Sequence, residues 1–173
     1  YIAQPPLFRA KKGSSIQYMK DEKEMDDFLI NEGSKSLILE SPTNDNQLKI
    51  IKGNDLLSLI NIAQKAQKLI EPLTRRLDNK KVIEQAAVIA ALKPENLTDE
   101  KIATEIAKYL TLRLNVMESK VWNVIFEKER FVITKKERGV TQKFEINNEF
   151  LITPEAKSLN SLRKKLMENF GIL

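Results

Sequence analysis

Residues 53–70, GNDLLSLINIAQKAQKLI, contain the longest amphipathic pattern in the chain. Apolar and small side chains recur every three or four residues, which predicts a helix with one buried face. We expect Asn54 or Asp55 to cap the start of this helix. We expect Pro72 to kink or break it, with helical structure resuming over residues 73–77. The predicted buried face comprises Leu56, Leu59, Ile60, Ala63, Ala66, Gln67 and Ile70.

Two further helices are predicted downstream. Residues 80–92 are rich in Val, Ile and Ala, which favours close packing against another helix, and Pro94 is expected to end this segment. Thr98 is the predicted cap of a third helix that ends near Met117. The period of that helix is set by Ile102, Ile106, Tyr109, Leu110, Arg113 and Leu114.

From residue 120 the pattern changes to the alternation that is typical of strands. We predict strands over residues 121–126, 131–134 and 140–146, with turns at 127–130 and at Arg138-Gly139. Such short, successive strands form a three-stranded antiparallel meander.

Thr153 as cap and Pro154 in the first turn then predict a last helix. Its stripe is Leu159, Leu162, Leu166 and Phe170, and Gly171 closes it.

The N-terminal part is predicted to hold short elements. Apolar residues flank Pro5-Pro6, a basic turn covers residues 12–15, and a strand returns over 15–19. Residues 21–31 form a short helix that Gly33 stops, with acidic residues that suit its N-terminal dipole. Residues 37–40 and 47–51 form a hairpin around a turn at 41–46. The predicted fold class is α+β, with helices packed on an antiparallel hairpin and meander. We expect the part after about residue 30 to form one compact domain, preceded by an extended N-terminal segment.

The composition excludes several kinds of catalytic site. The 173-residue chain has no Cys and no His, so disulfides, Ser-His-Asp triads and His/Cys zinc sites cannot form within it. Its five glycines are too scattered for a phosphate-binding loop. Asp26 and Asp27 are adjacent on a predicted helix, so their side chains diverge and cannot easily share a metal ion. We therefore predict no catalytic or metal-ligating residue. Core or edge packing explains Tyr1, Tyr18 and Tyr109 better than a nucleophilic role.

The net charge is +5, which is compatible with an ordinary mixed-charge surface or with a polyanionic partner. Residues 20–32 are acidic, whereas residues 49–81 carry eight basic side chains against three acidic ones. Residues 128–143 carry six basic side chains against two acidic ones. Positive charge is therefore concentrated in the middle and late parts of the chain.

Three basic features are candidates for contact with the phosphates of a nucleic acid. Lys11 and Lys12 are predicted in a loop, where a solvated turn is an equally good explanation. For Arg75 and Arg76, with Lys80 and Lys81 near a helix junction, a solvated face is the stronger alternative. The third feature is a cluster on the last hairpin, which comprises Lys135, Lys136, Arg138 and Lys143. Contacts of this kind position nucleic acid without reading its sequence.

Two aromatic residues could serve as base-stacking platforms. Trp122 is the only tryptophan, and Phe131 lies near the basic hairpin. Both are better explained as core residues, because large aromatic side chains gain most from burial.

The opening residues also resemble a known family. Residues 1–7 (YIAQPPL), Lys11-Lys12-Gly13 and residues 17–21 (QYMKD) resemble the end of the toprim domain in the B subunit of bacterial DNA gyrase. The likeness returns weakly at residues 150–152 and 162–166. The residues between these segments resemble the large insertion of some gyrase B subunits in length and in the order of their elements, but not in motifs. A related decatenating topoisomerase shares the opening motif but lacks a long insertion, so the length favours gyrase.

The resemblance implies an ATP-dependent type II topoisomerase that introduces negative supercoils, built from two A and two B subunits. It implies DNA and the gyrase A subunit as partners, a cytoplasmic location and no membrane contact. ATP and Mg²⁺ would belong to the parent protein, with no cofactor in this chain. The magnesium-binding glutamate and DxD pair would lie upstream of Tyr1, and the cleaving tyrosine would lie on the A subunit. The expected boundaries are 1–30 for the end of toprim, 31–152 for the insertion and 153–173 for a returning helix.

The role expected of this region is mechanical. It would brace the toprim domain against the A subunit, and it would help to place DNA. The alternatives are a free-standing basic nucleic-acid-binding module and a protein-interaction spacer without DNA contact.

The chain starts with Tyr rather than Met, so we expect it to be part of a longer protein. No apolar run approaches the roughly 20 residues of a membrane span.

Overall fold

The computed structural model describes residues 6–42, 48–118 and 121–170. The chain divides into two compact units, Tyr1–Ile60 and Asn61–Leu173. The fold is α+β, with helices and small antiparallel sheets, as predicted. The expected domain boundaries after residues 30 and 152 stay predictions.

The first unit begins with a hairpin and a helix. Strands β1 (Phe8–Lys12) and β2 (Ser15–Met19) pair around Gly13, whose φ of +61° favours glycine. Helix α1 (Glu22–Ser34) is capped by Asp21, whose carboxylate accepts a 2.9 Å hydrogen bond from the Glu24 amide. The predicted stop at Gly33 is wrong, because Gly33 lies inside α1. The apolar segment around Pro5-Pro6 lies mostly outside the described residues.

A second hairpin completes the strands of this unit. Strand β3 (Ile38–Pro42) pairs antiparallel with β4 (Leu48–Lys52), which confirms the predicted hairpin. Ser41 and Pro42, predicted as turn, belong to β3 instead. The rest of the predicted turn, residues 43–46, lies outside the described residues.

The long helix α2 (Gly53–Leu77) begins in the first unit and continues into the second. It starts at Gly53, so Asn54 and Asp55 lie in its first turn and do not cap it as predicted. Of the two outcomes predicted at Pro72, a kink or a break, the break does not occur, because the helix runs through the proline. Ile70 and Leu73, on either side of the proline, are both buried in the same core. Their burial offsets the hydrogen bond that proline cannot donate.

Two helices of the second unit differ from prediction at their ends. Helix α3 (Lys80–Val88) ends before Ala90, which has a φ of +59°, and so stops well before Pro94. Pro94–Leu97 forms a short 3₁₀ helix. Helix α4 (Glu100–Met117) is capped by Asp99 and not by Thr98. The Asp99 carboxylate accepts hydrogen bonds from two main-chain amides, whereas the Thr98 hydroxyl donates to the Glu95 carbonyl.

The predicted three-stranded antiparallel meander is confirmed. It consists of β5 (Trp122–Glu127), β6 (Arg130–Glu137) and β7 (Val140–Ile146), in that order. Three helices follow, namely α5 (Asn148–Leu151), α6 (Pro154–Ser161) and α7 (Arg163–Phe170). Thr153 and Pro154 start α6 as predicted, but the single last helix is split at Leu162. The predicted closing residue, Gly171, lies outside the described residues.

Helix α4 closes the open edge of the sheet. Strand β5 is an edge strand, and the side chains of Asn115 and Thr111 pair with its main chain. Asn115 accepts from the Trp122 amide (3.0 Å) and donates to the Trp122 carbonyl (2.8 Å). Thr111 accepts from the Val124 amide (2.9 Å). These bonds satisfy main-chain groups that an uncovered edge would leave to water or to another chain.

The core of the second unit lies where α2, α3, α4, α6 and the sheet meet. Phe131 and Trp122 are both buried, as expected of core residues. The buried stripe of α4 is Ala103, Ala107, Leu110 and Leu114. Ile102 and Tyr109, predicted on this face, are 47% and 38% exposed. Ile102 and Tyr109 each lie next to this stripe, at the edge of the buried side of α4.

A buried arginine connects three helices of this unit. Arg113 of α4 is 5% exposed. Its Nε donates to Gln85 Oε1 on α3 (2.8 Å), and its Nη2 donates to the Phe170 carbonyl at the end of α7 (3.0 Å). Carbonyls at a helix C-terminus carry partial negative charge, so this acceptor helps to offset the cost of burying a cation.

Two leucines of α4 provide a direct test of this packing. Leu110 is fully buried and Leu112 is 60% exposed. We expect Leu110→Ala to lower the free energy of unfolding by about 2–5 kcal/mol, because it leaves a cavity. Leu112→Ala is the matched control and should change it by about 0.5 kcal/mol or less. Urea denaturation followed by Trp122 fluorescence measures both. Equal losses in the two variants would contradict this assignment of the core.

Candidate nucleic-acid interface

The exposed side of α2 carries a row of four cations, which we call the α2 basic face. It consists of Lys65, Lys68, Arg75 and Arg76, all exposed. At 3.6 residues per turn these positions fall within about 100° of one another and span about 16 Å along the axis. In the part of the chain that the structure describes, none of the four forms an ion pair. Glu71, the one acidic residue between them in sequence, forms no ion pair with any described residue either.

Sequence reasoning identified only half of this face. Arg75 and Arg76 were predicted as DNA contacts, whereas Lys65 and Lys68 were not. The missed signal lies in the spacing of these residues. Lys65 and Lys68 are three residues apart. Lys65 precedes Arg76 by about three helical turns, and Lys68 precedes Arg75 by about two. That relation holds only if the helix continues through Pro72, as it does here.

The basic hairpin is divided between paired and unpaired cations. Lys136 and Arg138 are exposed, and neither forms an ion pair within the described ranges. Lys143 is paired with Glu145 at 2.8 Å. Lys135 is only 16% exposed and binds two carboxylates, those of Glu118 (3.0 Å) and Glu137 (2.9 Å).

Lys135 belongs to a polar cluster centred on Glu118, which we call the Glu118 cluster. The Glu118 carboxylate accepts from Lys81, from Lys135 and from the Trp122 indole Nε1 (3.0 Å). The Lys135 ammonium also lies over the Trp122 ring, 5.3 Å from its centroid. Two of the predicted basic features, at residues 80–81 and on the hairpin, thus direct one cation each towards Glu118.

The cations of this cluster change its protonation. Hydrogen bonds from Lys81 and Lys135 lower the pKa of Glu118 from about 4.5 to about 2. Hydrogen bonds to Glu137 and Glu118 raise the pKa of Lys135. Both groups therefore remain charged at neutral pH, and the positive charge of Lys135 is paired with the carboxylates of Glu118 and Glu137.

Lys11 and Lys12 lie in the first unit and not in a loop. Both belong to strand β1, which corrects the predicted turn position. Lys12 pairs with Glu32 of α1 at 2.6 Å. Hydrogen bonds from Lys12 and from Lys35 to the Glu32 carboxylate lower the pKa of Glu32 to about 2. Lys11 is exposed on the strand. Adjacent strand residues point to opposite sides, so the two lysines do not form one patch.

Three further features of the described residues bear on known kinds of site: acidic groups, cavities and long apolar helices. No group of three or more acidic residues within them could hold a metal ion. A cavity of about 280 Å³ in the second unit is lined mainly by apolar side chains, among them Ala66, Ile70 and Leu166. Among the described residues, no helix combines the length and apolar character that crossing a membrane requires.

Comparison with known proteins identifies the family. The model of the family described as the DNA gyrase B subunit insert domain matches residues 43–171. The chain belongs to the gyrase B insert domain family. This confirms the resemblance that its opening residues suggest.

Individual relatives agree with this assignment. The DNA gyrase B subunit of Caulobacter vibrioides is 32% identical over 171 residues, which cover 99% of this chain and 20% of that protein. The DNA gyrase B subunit of Rickettsia bellii is 41% identical over 66 residues, 33% of this chain and 8% of that protein. The type 2 topoisomerase B subunit of Aquifex aeolicus is 41% identical over 61 residues, 35% of this chain and 7% of that protein. The chain spans about a fifth of the length of the first of these relatives.

The Glu118 cluster predicts a specific pH dependence. A carboxylate whose pKa is lowered by folding stabilises the protein above its ordinary pKa, and this contribution is lost as the pH falls towards the lowered value. For Glu118 that window runs from about 4.5 down to about 2. We expect Glu118→Gln to be less stable than the wild type at pH 7, and the difference to shrink below pH 4.5.

Urea midpoints followed by Trp122 fluorescence between pH 7 and pH 2.5 measure this difference. Glu105→Gln is the matched control, because Glu105 is exposed on α4, the helix that Glu118 follows, and forms no ion pair within the described residues. At pH 7 it should differ from the wild type by about 0.5 kcal/mol or less. A Glu118→Gln difference that stays constant with pH would contradict the role of the cluster.

Proposed function

We propose that this chain is a non-catalytic part of a gyrase B subunit that holds DNA through the α2 basic face. The carrying observation is that Lys65, Lys68, Arg75 and Arg76 are exposed on one side of a helix with no ion pair among the described residues. Cations in such a row can each neutralise a phosphate and release condensed counterions. Binding of this kind does not depend on base sequence, which suits an enzyme that acts on DNA of any sequence.

Other predicted cations contribute unequally to this proposal. Lys136 and Arg138, at the tip of the last hairpin, are a second candidate contact because both are exposed and unpaired in the described part. Lys11 is exposed but isolated on its strand. Lys12 and Lys135 contribute less, because each is held by a carboxylate of the protein.

We further propose that the parent protein is an ATP-dependent type II topoisomerase that introduces negative supercoils. Its ATP and Mg²⁺ sites would lie outside this chain, and it would work in the cytoplasm with the gyrase A subunit. Within it, this region would brace the toprim domain against that partner. The match of 99% of the chain to a gyrase B subunit five times its length favours this over a free-standing nucleic-acid module.

The mechanical role fits the construction of the second unit. Its core connects helices and sheet through buried apolar side chains, the Arg113 hydrogen bonds and the covered β5 edge. A unit held together in this way can transmit force between the surfaces that contact it. An interaction spacer without DNA contact needs the same rigidity but gives no reason for the unpaired cations on α2.

Charge substitutions on α2 test the DNA contact. We expect replacement of Lys65, Lys68, Arg75 and Arg76 by Gln, in the parent gyrase, to weaken DNA binding most at low salt. The slope of log K against log[salt] should become shallower by about 3–4, close to one for each lost phosphate contact. Titration of a labelled duplex at several salt concentrations measures this slope.

The control variant removes the same charge from paired cations. Lys20, Lys35, Lys80 and Lys143 each form an exposed ion pair, and their replacement by Gln should leave the slope close to the wild-type value. If both variants make the slope shallower by the same amount, the net charge matters and the α2 basic face does not.

Deletion of the region tests the brace. In a gyrase that lacks residues 30–150 we expect supercoiling and DNA binding to fall much more than ATP hydrolysis without DNA. The reason is that the proposed nucleotide site lies elsewhere in the parent, whereas the brace and the DNA contact would be lost together. Gel assays of supercoiling and a coupled ATPase assay measure the two activities. A deletion variant that supercoils at the normal rate would refute the proposal.

A further inference from the structure

Most of the large apolar side chains in the described residues before α2 are exposed. Between residues 6 and 52, Met19 is the only large apolar side chain among the described residues that is buried. Most of the remaining large apolar residues there are highly exposed: Leu7, Ile16, Tyr18, Leu29, Leu37, Ile38, Leu39, Leu48 and Ile50. A surface with this many apolar side chains is typical of a contact with another part of a protein.

The β3–β4 hairpin concentrates this surface on one face. Residues directly opposite each other in an antiparallel pair lie on the same side of the sheet, and every second residue of a strand does too. The observed register pairs Ile38 with Lys52, Glu40 with Ile50, and Pro42 with Leu48. Ile38, Leu48 and Ile50 therefore share one face, where they are 62%, 64% and 60% exposed. Glu40 and Lys52, both exposed, lie on the same face, one at each side of this apolar group.

Such a hairpin is not expected to be stable alone. A two-stranded sheet in water is marginal unless a further strand or a helix packs against it. Among the described elements, β3 and β4 make their extensive contacts only with each other. The face of Ile38, Leu48 and Ile50 thus gains most from a partner that excludes water from it.

The family match indicates where that partner lies. The matched range starts at residue 43, so β3 precedes it and β4 lies inside it. The hairpin therefore connects the inserted region to the polypeptide before it. About four-fifths of the length of the Caulobacter relative lies outside the part that this chain covers. That is ample protein to supply an apolar surface next to the junction.

We propose that the face formed by Ile38, Leu48 and Ile50 docks on an apolar surface of the remaining gyrase B polypeptide. The proposal rests on the proposed function in one respect, that the chain is part of such a polypeptide. Docking at the hairpin fixes the inserted region to its own polypeptide.

Thiol labelling in the full-length gyrase B polypeptide tests the docking. This chain has no cysteine, so a single thiol can be introduced at position 50 by Ile50→Cys in a polypeptide whose other cysteines are replaced. The matched control is Lys49→Cys, an exposed neighbour on the opposite face of β4. Each maleimide labelling rate is divided by the rate in urea, which removes differences in intrinsic reactivity.

We expect the thiol at position 50 to react at least about tenfold more slowly than the thiol at position 49, because burial limits reaction to local opening. Equal normalised rates overturn the proposal. Protection that disappears when the protein is diluted also overturns it, because the partner is then a second copy. Protection that requires the gyrase A subunit to be added overturns it as well, since the covering surface then belongs to that partner.

The result is independent of the DNA-binding test. If position 50 is unprotected while the α2 variant loses its salt-dependent DNA binding, only the docking surface is wrong. If position 50 is protected while the α2 variant binds DNA normally, the docking holds and the α2 basic face is wrong.

Discussion

The second unit depends on the fit between helix α4 and the edge strand β5. Thr111 and Asn115 are four residues apart on the helix, a rise of about 6 Å. The residues that they serve on the strand, Val124 and Trp122, are two apart, close to 7 Å. Because these spacings nearly match, one helix face can satisfy alternate main-chain groups of the strand. The other stripe of α4 remains free to pack into the core.

In the folded chain some cations are paired with carboxylates of the protein, and others face solvent. Around Glu118, cations from α3 and β6 converge on one carboxylate, where they stabilise the junction of helix and sheet. On α2 the cations face solvent without acidic partners in the described residues, and their charge remains available to a polyanion. A net charge of +5 cannot distinguish these uses, because it counts a paired lysine and an unpaired lysine alike.

Several predictions from the sequence are wrong for one physical reason, which is that packing outweighs a local signal. Pro72 reads as a break, yet the burial of Ile70 and Leu73 carries the helix through it. Thr98 and Asp99 are both good capping residues, and only the observed backbone shows that Asp99 performs the role. Tyr109 fits an apolar stripe, but the small alanines of α4 define the buried side.

The sequence by itself determined the kinds of element, the meander, the absence of Cys and His chemistry and the family. These follow from side-chain periodicity, from composition and from motifs that neighbouring residues form. Only the tertiary structure decided which lysines are paired, that Arg113 is buried between three helices, and that one face of the β3–β4 hairpin is uncovered. Such properties depend on residues far apart in the chain, such as Lys81 and Glu118, that meet only when the chain has folded.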